Sequence, residues 1–232
     1  GYLTIPLNAK EKCLPAEVFY QGYGTYVQGE ISDGPRHCIQ LHMNAHGYEI
    51  GREKEYYESF FAAIQPNGVM YAFDNAQNSK PEAAYFNGMA LRVMRSLQFL
   101  KSLPQWNGSD LRVYGGSQGG LQSVWAAALD PDVSLAHTDI TWCCDLAGVE
   151  QGRLRGWRPD YAPALNYYDP VFHARRIQCP IDVTRAGLGD YVCPPSGLAV
   201  LYNNIASKNK SIKWFQGSTH GFVPKNPQTL FI

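Results

Sequence analysis

Neither sign of charge dominates this chain: 20 basic residues meet 20 acidic ones across 232 positions, for a net charge of zero. No long-range field therefore recruits nucleic acid or an anionic membrane surface. No apolar run is long enough to span a bilayer, and the N-terminus, which opens on Gly1 rather than Met, carries no signal-peptide pattern. The six cysteines (Cys13, Cys38, Cys143, Cys144, Cys179, Cys193) form no C-x-x-C pair and no zinc-ribbon spacing. Adjacent Cys143 and Cys144 would pair with each other only through a strained vicinal bridge, so buried thiols are favoured over a disulfide framework. Internal repeats, low-complexity stretches and composition shifts are also missing. One domain over residues 1–232 is the expectation for this length.

Periodicity supplies the positive evidence. Apolar or alternating runs predict strands at Ala16–Tyr23, Thr25–Ile31, His37–Asn44, Val69–Phe73, Leu111–Tyr114, Ala136–Trp142, Ile181–Ala186 and Ile212–Phe215. Turn signals at Ser32-Asp33-Gly34-Pro35 and Pro66-Asn67-Gly68 separate the early ones. Helical spacing predicts helices at Tyr56–Ile64, Ala83–Leu103, Leu121–Leu129 and Ser196–Ala206. Strands alternating with helices imply an α/β fold, with a mostly parallel central sheet and helices on both faces. In such sheets ligands bind at the carboxyl ends of the strands.

The chemically interesting residues fall at those ends. Gly115-Gly116-Ser117-Gln118-Gly119-Gly120 lies between a predicted strand and a predicted helix, the context a G-x-S-x-G nucleophile elbow requires. A nucleophilic serine needs small neighbours on a tight turn so that its hydroxyl stands clear. The following helix then aims N–H groups at a developing oxyanion. The string has neither the P-loop lysine nor G-x-G-x-x-G spacing, which makes phosphate binding a poor reading. Chain order in this motif predicts an acid next and a histidine last. Asp190 follows the strand Ile181–Ala186, and His220 follows Ile212–Phe215. Asp145, Asp169 and Asp182 are rivals for the acid, and His137 and His173 for the base.

Two donors are needed for an oxyanion. One is the backbone N–H of Gln118, and the other is sought after the strand His37–Asn44, at His46-Gly47-Tyr48. Tyr48 would donate through its backbone or its hydroxyl, or else simply pack over the cleft rim. His37, His42 and His46 invite a metal reading, but no carboxylate or cysteine completes a recognisable site and no H-E-x-x-H occurs. No metal and no cofactor is expected.

Taken together, His46-Gly47-Tyr48, Gly115–Gly120, Gly187-Leu188-Gly189-Asp190 with Cys193-Pro194-Pro195-Ser196, and His220-Gly221 resemble the acetyl xylan esterase / cephalosporin-C deacetylase family of carbohydrate esterases. Cys144-Asp145, Tyr168-Asp169 and the run Arg176–Pro180 add weaker echoes, and the resemblance spans roughly residues 17 to 222. It implies an α/β-hydrolase fold and a Ser-Asp-His triad on Ser117, Asp190 and His220. It also implies an oxyanion hole from Tyr48 and Gln118, and small acyl esters of xylo-oligosaccharides and related sugars as substrates. Family members form ring-like homo-oligomers through extra segments, whereas here the 74–84 stretch is short and the N-terminal lead-in compact. Leu121 stands where family members often continue with another glycine. A peptidase or lactone hydrolase on the same fold, or a hydrolase-fold binding module without catalysis, are the other readings.

Overall fold

The computed structural model describes residues 1–24, 37–49, 51–65 and 68–232. The predicted strand Thr25–Ile31 and the Ser32–Pro35 turn lie outside these residues, as does most of the Pro66–Gly68 turn. Eight strands form one sheet: β1 (Tyr2–Thr4), β2 (Leu14–Tyr20), β3 (Ile39–Met43), β4 (Trp106–Gly116), β5 (Leu135–Asp139), β6 (Ile181–Gly187), β7 (Lys210–Phe215) and β8 (Thr229–Phe231). Their spatial order is β1-β3-β2-β4-β5-β6-β7-β8. The central strands from β3 to β7 pair in parallel, and only the edges, β1 on β3 and β8 on β7, are antiparallel.

The helices are α1 (Lys54–Ile64), α2 (Tyr85–Ser102), α3 (Gln118–Leu129), α4 (Pro170–Ala174) and α5 (Pro195–Asn204). Period 3.6 in α2 puts Phe86, Met89, Val93, Leu97 and Leu100 on one buried stripe. That stripe packs on α3, which in turn packs on α4, and α4 on α5. The period of two in the strands turns Ala16, Val18, Leu111, Val113 and Ala136 into this core, all fully buried. The alternate residues Glu17, Phe19, Arg112 and Tyr114 are half-buried. Phe19 stacks between His42 and Tyr114 on that side, with ring centroids 4.5 and 4.9 Å away.

One strand expectation is corrected. Val69–Phe73 is a turn-rich loop, in which Tyr71 and Ala72 are buried while Val69 and Met70 are exposed. A short apolar run does not distinguish a buried strand from a loop that covers an aromatic cluster. The three-residue strands β1 and β8 carry too little pattern to be seen in the sequence. No helix among the described residues is long and apolar enough to cross a membrane.

The strand order sets where a ligand fits. β3 lies on one side of β2, whereas β4 crosses to the other. The chain leaving β2 and the chain leaving β4 therefore diverge at the carboxyl edge, and such a reversal opens a crevice.

Candidate active site

Ser117 sits at that crevice, in the turn between β4 and α3, with φ 56° and ψ −118°. A left-handed φ is rare for a side-chain-bearing residue and persists only where the surroundings impose it. Here Ser117 N–H donates to the Asp139 carbonyl at 2.8 Å, and its own carbonyl accepts from Leu121 and Trp142. The glycines explain themselves by contact. A Cβ on Gly115 would lie 2.2 Å from the Gly119 carbonyl oxygen, and one on Gly119 2.1 Å from that of Tyr20. Only a bare backbone lets helix, turn and neighbouring strand approach this closely.

The Asp190 and His220 loops are zipped together. Gly189 N–H donates to the Ser218 carbonyl at 2.9 Å and Leu188 N–H to that of Phe215 at 3.1 Å. A Cβ on Gly187 would meet the Ser218 carbonyl oxygen at 2.9 Å. The result is a hydrogen bond of 3.0 Å between His220 Nδ1 and Asp190 Oδ2. The other carboxylate oxygen, Oδ1, accepts the backbone N–H groups of Val192 and Cys193 at 2.8 and 2.9 Å. With Asp190 only 2 % exposed and fully engaged, the imidazole has one place for a proton, Nδ1, and Nε2 is left as a base. Ser117 and His220 line one cavity of about 720 Å³ with Tyr20, Gly22, Tyr23 and Trp157.

The rivals are otherwise occupied. Asp145 pairs with Arg153 at 2.5 Å. Asp169 caps α4 through Val171 N–H and also takes the N–H groups of Asp145 and Leu146; burial lifts its pKa to about 6. Asp182 accepts from Ser211. His137 meets the Thr184 hydroxyl in mid-sheet, and His173 bonds the Tyr167 carbonyl.

Tyr48, expected as an oxyanion donor or as a packing residue, is placed in a cluster of its own. Tyr48 is 4 % exposed and lies in an aromatic cluster with His46, Tyr57, Phe60 and Phe61, away from the cavity that holds Ser117. The reason is pairing order: β3, which leads to Tyr48, is separated from the nucleophile strand by β2. The segment beside Ser117 is instead Gln21-Gly22-Tyr23, leaving β2, whose Gly22 and Tyr23 line the cavity. Tyr23 N–H meets no acceptor among the described residues. Its ring stacks on Tyr71 and its hydroxyl donates to the Tyr71 carbonyl. The sequence held a signal for it, a second Gly-Tyr step directly after a strand.

Gln118 begins α3, where backbone N–H groups have no intrahelical acceptor. Its side chain is tied away from the cavity. Oε1 accepts from the Tyr71 hydroxyl at 3.2 Å, and the amide nitrogen meets His46 Nε2 at 3.3 Å. An amide donating to Nε2 leaves the His46 proton on Nδ1, 3.0 Å from the Tyr85 hydroxyl. Burial, with the nearby Arg92 charge, lowers the His46 pKa to about 4, which fits this neutral ring.

As to metals, His42 stacks on Phe19 and His46 meets Gln118, and among the described residues no group of three metal-type donors includes His37, His42 or His46. Among the described residues one cluster brings metal-type donors together: Asp190, Cys193 and His220, within 4.8 Å of one another. Asp190 is saturated by hydrogen bonds, and burial pushes the Cys193 thiol well above its ordinary pKa, beside the Ser117 hydroxyl. A protonated thiol and a fully engaged carboxylate are poor ligands. All six cysteines are free.

Comparison with known proteins identifies the family and the fold. A family model described as acetyl xylan esterase matches residues 1–154 and 160–229. Acetyl esterase Axe7A of Xylanibacter ruminicola is 31 % identical over 228 residues, covering 91 % of this chain and 50 % of that protein. The chain thus spans about half the length of that curated relative. Among solved structures, an acetyl xylan esterase from Paenibacillus sp. R4 superposes with a TM-score of 0.75 at 23 % identity, over 94 % of this chain and 72 % of that one. Acetyl xylan esterase 1 from Thermoanaerobacterium sp. JW/SL YS485 gives 0.72 at 22 %, over 93 % and 72 %. A Pyrococcus horikoshii acylaminoacyl peptidase gives 0.59 at 17 %, over 94 % and 35 %. The shared architecture is the α/β-hydrolase fold.

Proposed function

Because the chain belongs to the acetyl xylan esterase family, we propose that it is a serine esterase removing acetyl and other small acyl groups from carbohydrate esters such as acetylated xylo-oligosaccharides. The observation that carries this reading is His220, held 3.0 Å from Asp190 and lining the same cavity as Ser117.

In the proposed mechanism His220 Nε2 takes the Ser117 hydroxyl proton as Oγ attacks the ester carbonyl carbon. The oxyanion is held by the Gln118 N–H and, in place of Tyr48, by the Tyr23 N–H. His220 returns the proton to the departing sugar oxygen, leaving an acetyl ester on Ser117. A water then gives its proton to Nε2, attacks that ester and releases acetate, restoring the serine. Asp190 stays a carboxylate throughout, orienting the ring and stabilising the imidazolium. No cofactor enters these steps.

The test is acetate release from acetylated xylo-oligosaccharides, run beside p-nitrophenyl acetate, for wild type and Ser117→Ala. Release from both esters by wild type alone supports the proposal. Turnover of the nitrophenyl ester only would keep the mechanism and discard the carbohydrate substrate. Wild-type rates in Ser117→Ala would discard the mechanism.

A further inference from the structure

Arg185 stands out on the cavity wall. It interrupts β6 with φ 47°, where the pairing with β7 shifts register between Val183 and Ala186. Such bulges re-aim a side chain, and a long side chain in the left-handed region is an outlier. The redirected side chain lines the same cavity as Ser117, His220 and Trp157. It is anchored there: Nε donates to Asp139 Oδ2 at 2.5 Å and Nη2 contacts the same carboxylate. Thr184 steadies the other oxygen of Asp139 at 3.2 Å, and the Asp139 carbonyl receives Ser117 N–H. One carboxylate residue thus fixes both the nucleophile turn and the guanidinium.

A solvent-facing ion pair adds little stability by itself, and the Arg185 side chain keeps 46 % of its exposure. Fold stability therefore gives a weak reason for a strained arginine at this place. A guanidinium has five N–H donors in a rigid fork. Two of its nitrogens face Asp139, which largely balances its charge, and the residue lines the reaction cavity with donors to spare. A balanced cation suits neutral oxygen acceptors better than a free anion. Trp157 supplies an aromatic surface in the same cavity, and Trp142 Nε1 holds its carbonyl at 2.5 Å. Paired hydroxyl acceptors beside an apolar ring face are the chemistry of a sugar.

We propose that Arg185 is a specificity-determining residue that binds hydroxyl groups of the sugar in the ester's alcohol portion, an inference that rests on the carbohydrate-ester reading above.

The experiment compares kcat/KM for acetylated xylo-oligosaccharide and for p-nitrophenyl acetate in wild type, Arg185→Asn and Arg185→Lys. Asparagine tolerates the left-handed backbone, and thermal melts verify that each variant is folded. Arg185→Asn is expected to lower the sugar ester's kcat/KM about tenfold more than that of the nitrophenyl ester, chiefly through KM. Arg185→Lys, with a point charge in place of a fork, should fall between. Equal losses on both esters, or no loss on the sugar ester, would overturn the role of Arg185. A wild type that hydrolyses only the nitrophenyl ester would instead overturn the carbohydrate reading, and this role with it.

Discussion

The Tyr23 ring lies face to face with that of Tyr71, centroids 4.1 Å apart, and its hydroxyl donates to the Tyr71 carbonyl at 3.2 Å. Tyr71 in turn donates to Gln118. The segment bearing one proposed oxyanion donor and the residue bearing the other are thus fixed through one shared phenol. Tyr23→Phe keeps the stacked ring and the backbone N–H, and its kcat should stay within roughly threefold of wild type. Tyr23→Ala removes the stack and should lower kcat by about 10- to 100-fold, the scale of a small misplacement. Tyr48→Phe, buried in the neighbouring cluster, should also stay within roughly threefold; a drop of about 100-fold would return the oxyanion role to its hydroxyl.

Asp190→Asn should preserve the loop, since an amide oxygen still accepts from Val192 and Cys193. The amide nitrogen facing His220 Nδ1 then imposes the opposite tautomer. The kcat should fall on the order of 10³- to 10⁴-fold with little change in thermal stability. Loss confined to stability would make Asp190 a loop anchor only.

His46 predicts an acid-sensitive fold. Its folded pKa, lowered to about 4, lies below the unfolded value of about 6.5. The unfolded chain therefore binds more protons between those limits. The His46 contribution is complete above pH 6.5 and is lost as pH falls through about 4. The full change is about 3 kcal/mol. Asp169, raised to about 6, has the opposite sign: its contribution is complete below about pH 4 and is lost as pH rises through about 6. Denaturant titrations of wild type and His46→Leu separate the two. The variant, though less stable at neutral pH, should lose less stability between pH 6.5 and 4. Parallel slopes would mean that His46 titrates normally.

Gly119→Ala places a methyl 2.1 Å from the Tyr20 carbonyl oxygen. Backbone against backbone has no side chain to yield, so a destabilisation of about 3 kcal/mol or more is expected. Gly152→Ala, with open space around its Cβ but φ 77°, should cost only the backbone strain of about 1–2 kcal/mol. Denaturant midpoints compare the two directly, and equal costs would contradict the contact argument.

How much of this was legible in the sequence differs by residue. Ser117, Asp190 and His220 each follow a strand expected from its alternating pattern, so local sequence placed all three at the carboxyl edge of the sheet. The proposed oxyanion partner, Tyr23, depends on which strand lies beside β4, and pairing order is decided by crossover geometry rather than by local composition. The expected strand Ala16–Tyr23 also ran three residues past the observed end of β2 at Tyr20, absorbing Gly22 and Tyr23 into a strand. Arg185 left no trace, because a bulge inside an otherwise regular run changes φ at one residue and not the hydrophobic period. Asp169 and Asp145 resembled triad candidates by position, and only their hydrogen bonds show that they hold loops.

The most direct measurement is acid-quenched mass spectrometry of the protein during turnover of acetylated xylo-oligosaccharide, followed by peptide mapping. The account predicts a transient acetyl group on the peptide containing Ser117, absent in Ser117→Ala and formed as the sugar alcohol is released. Sugar release without an acetyl adduct under conditions that trap one from p-nitrophenyl acetate, or an acetyl group on any other residue, would contradict it.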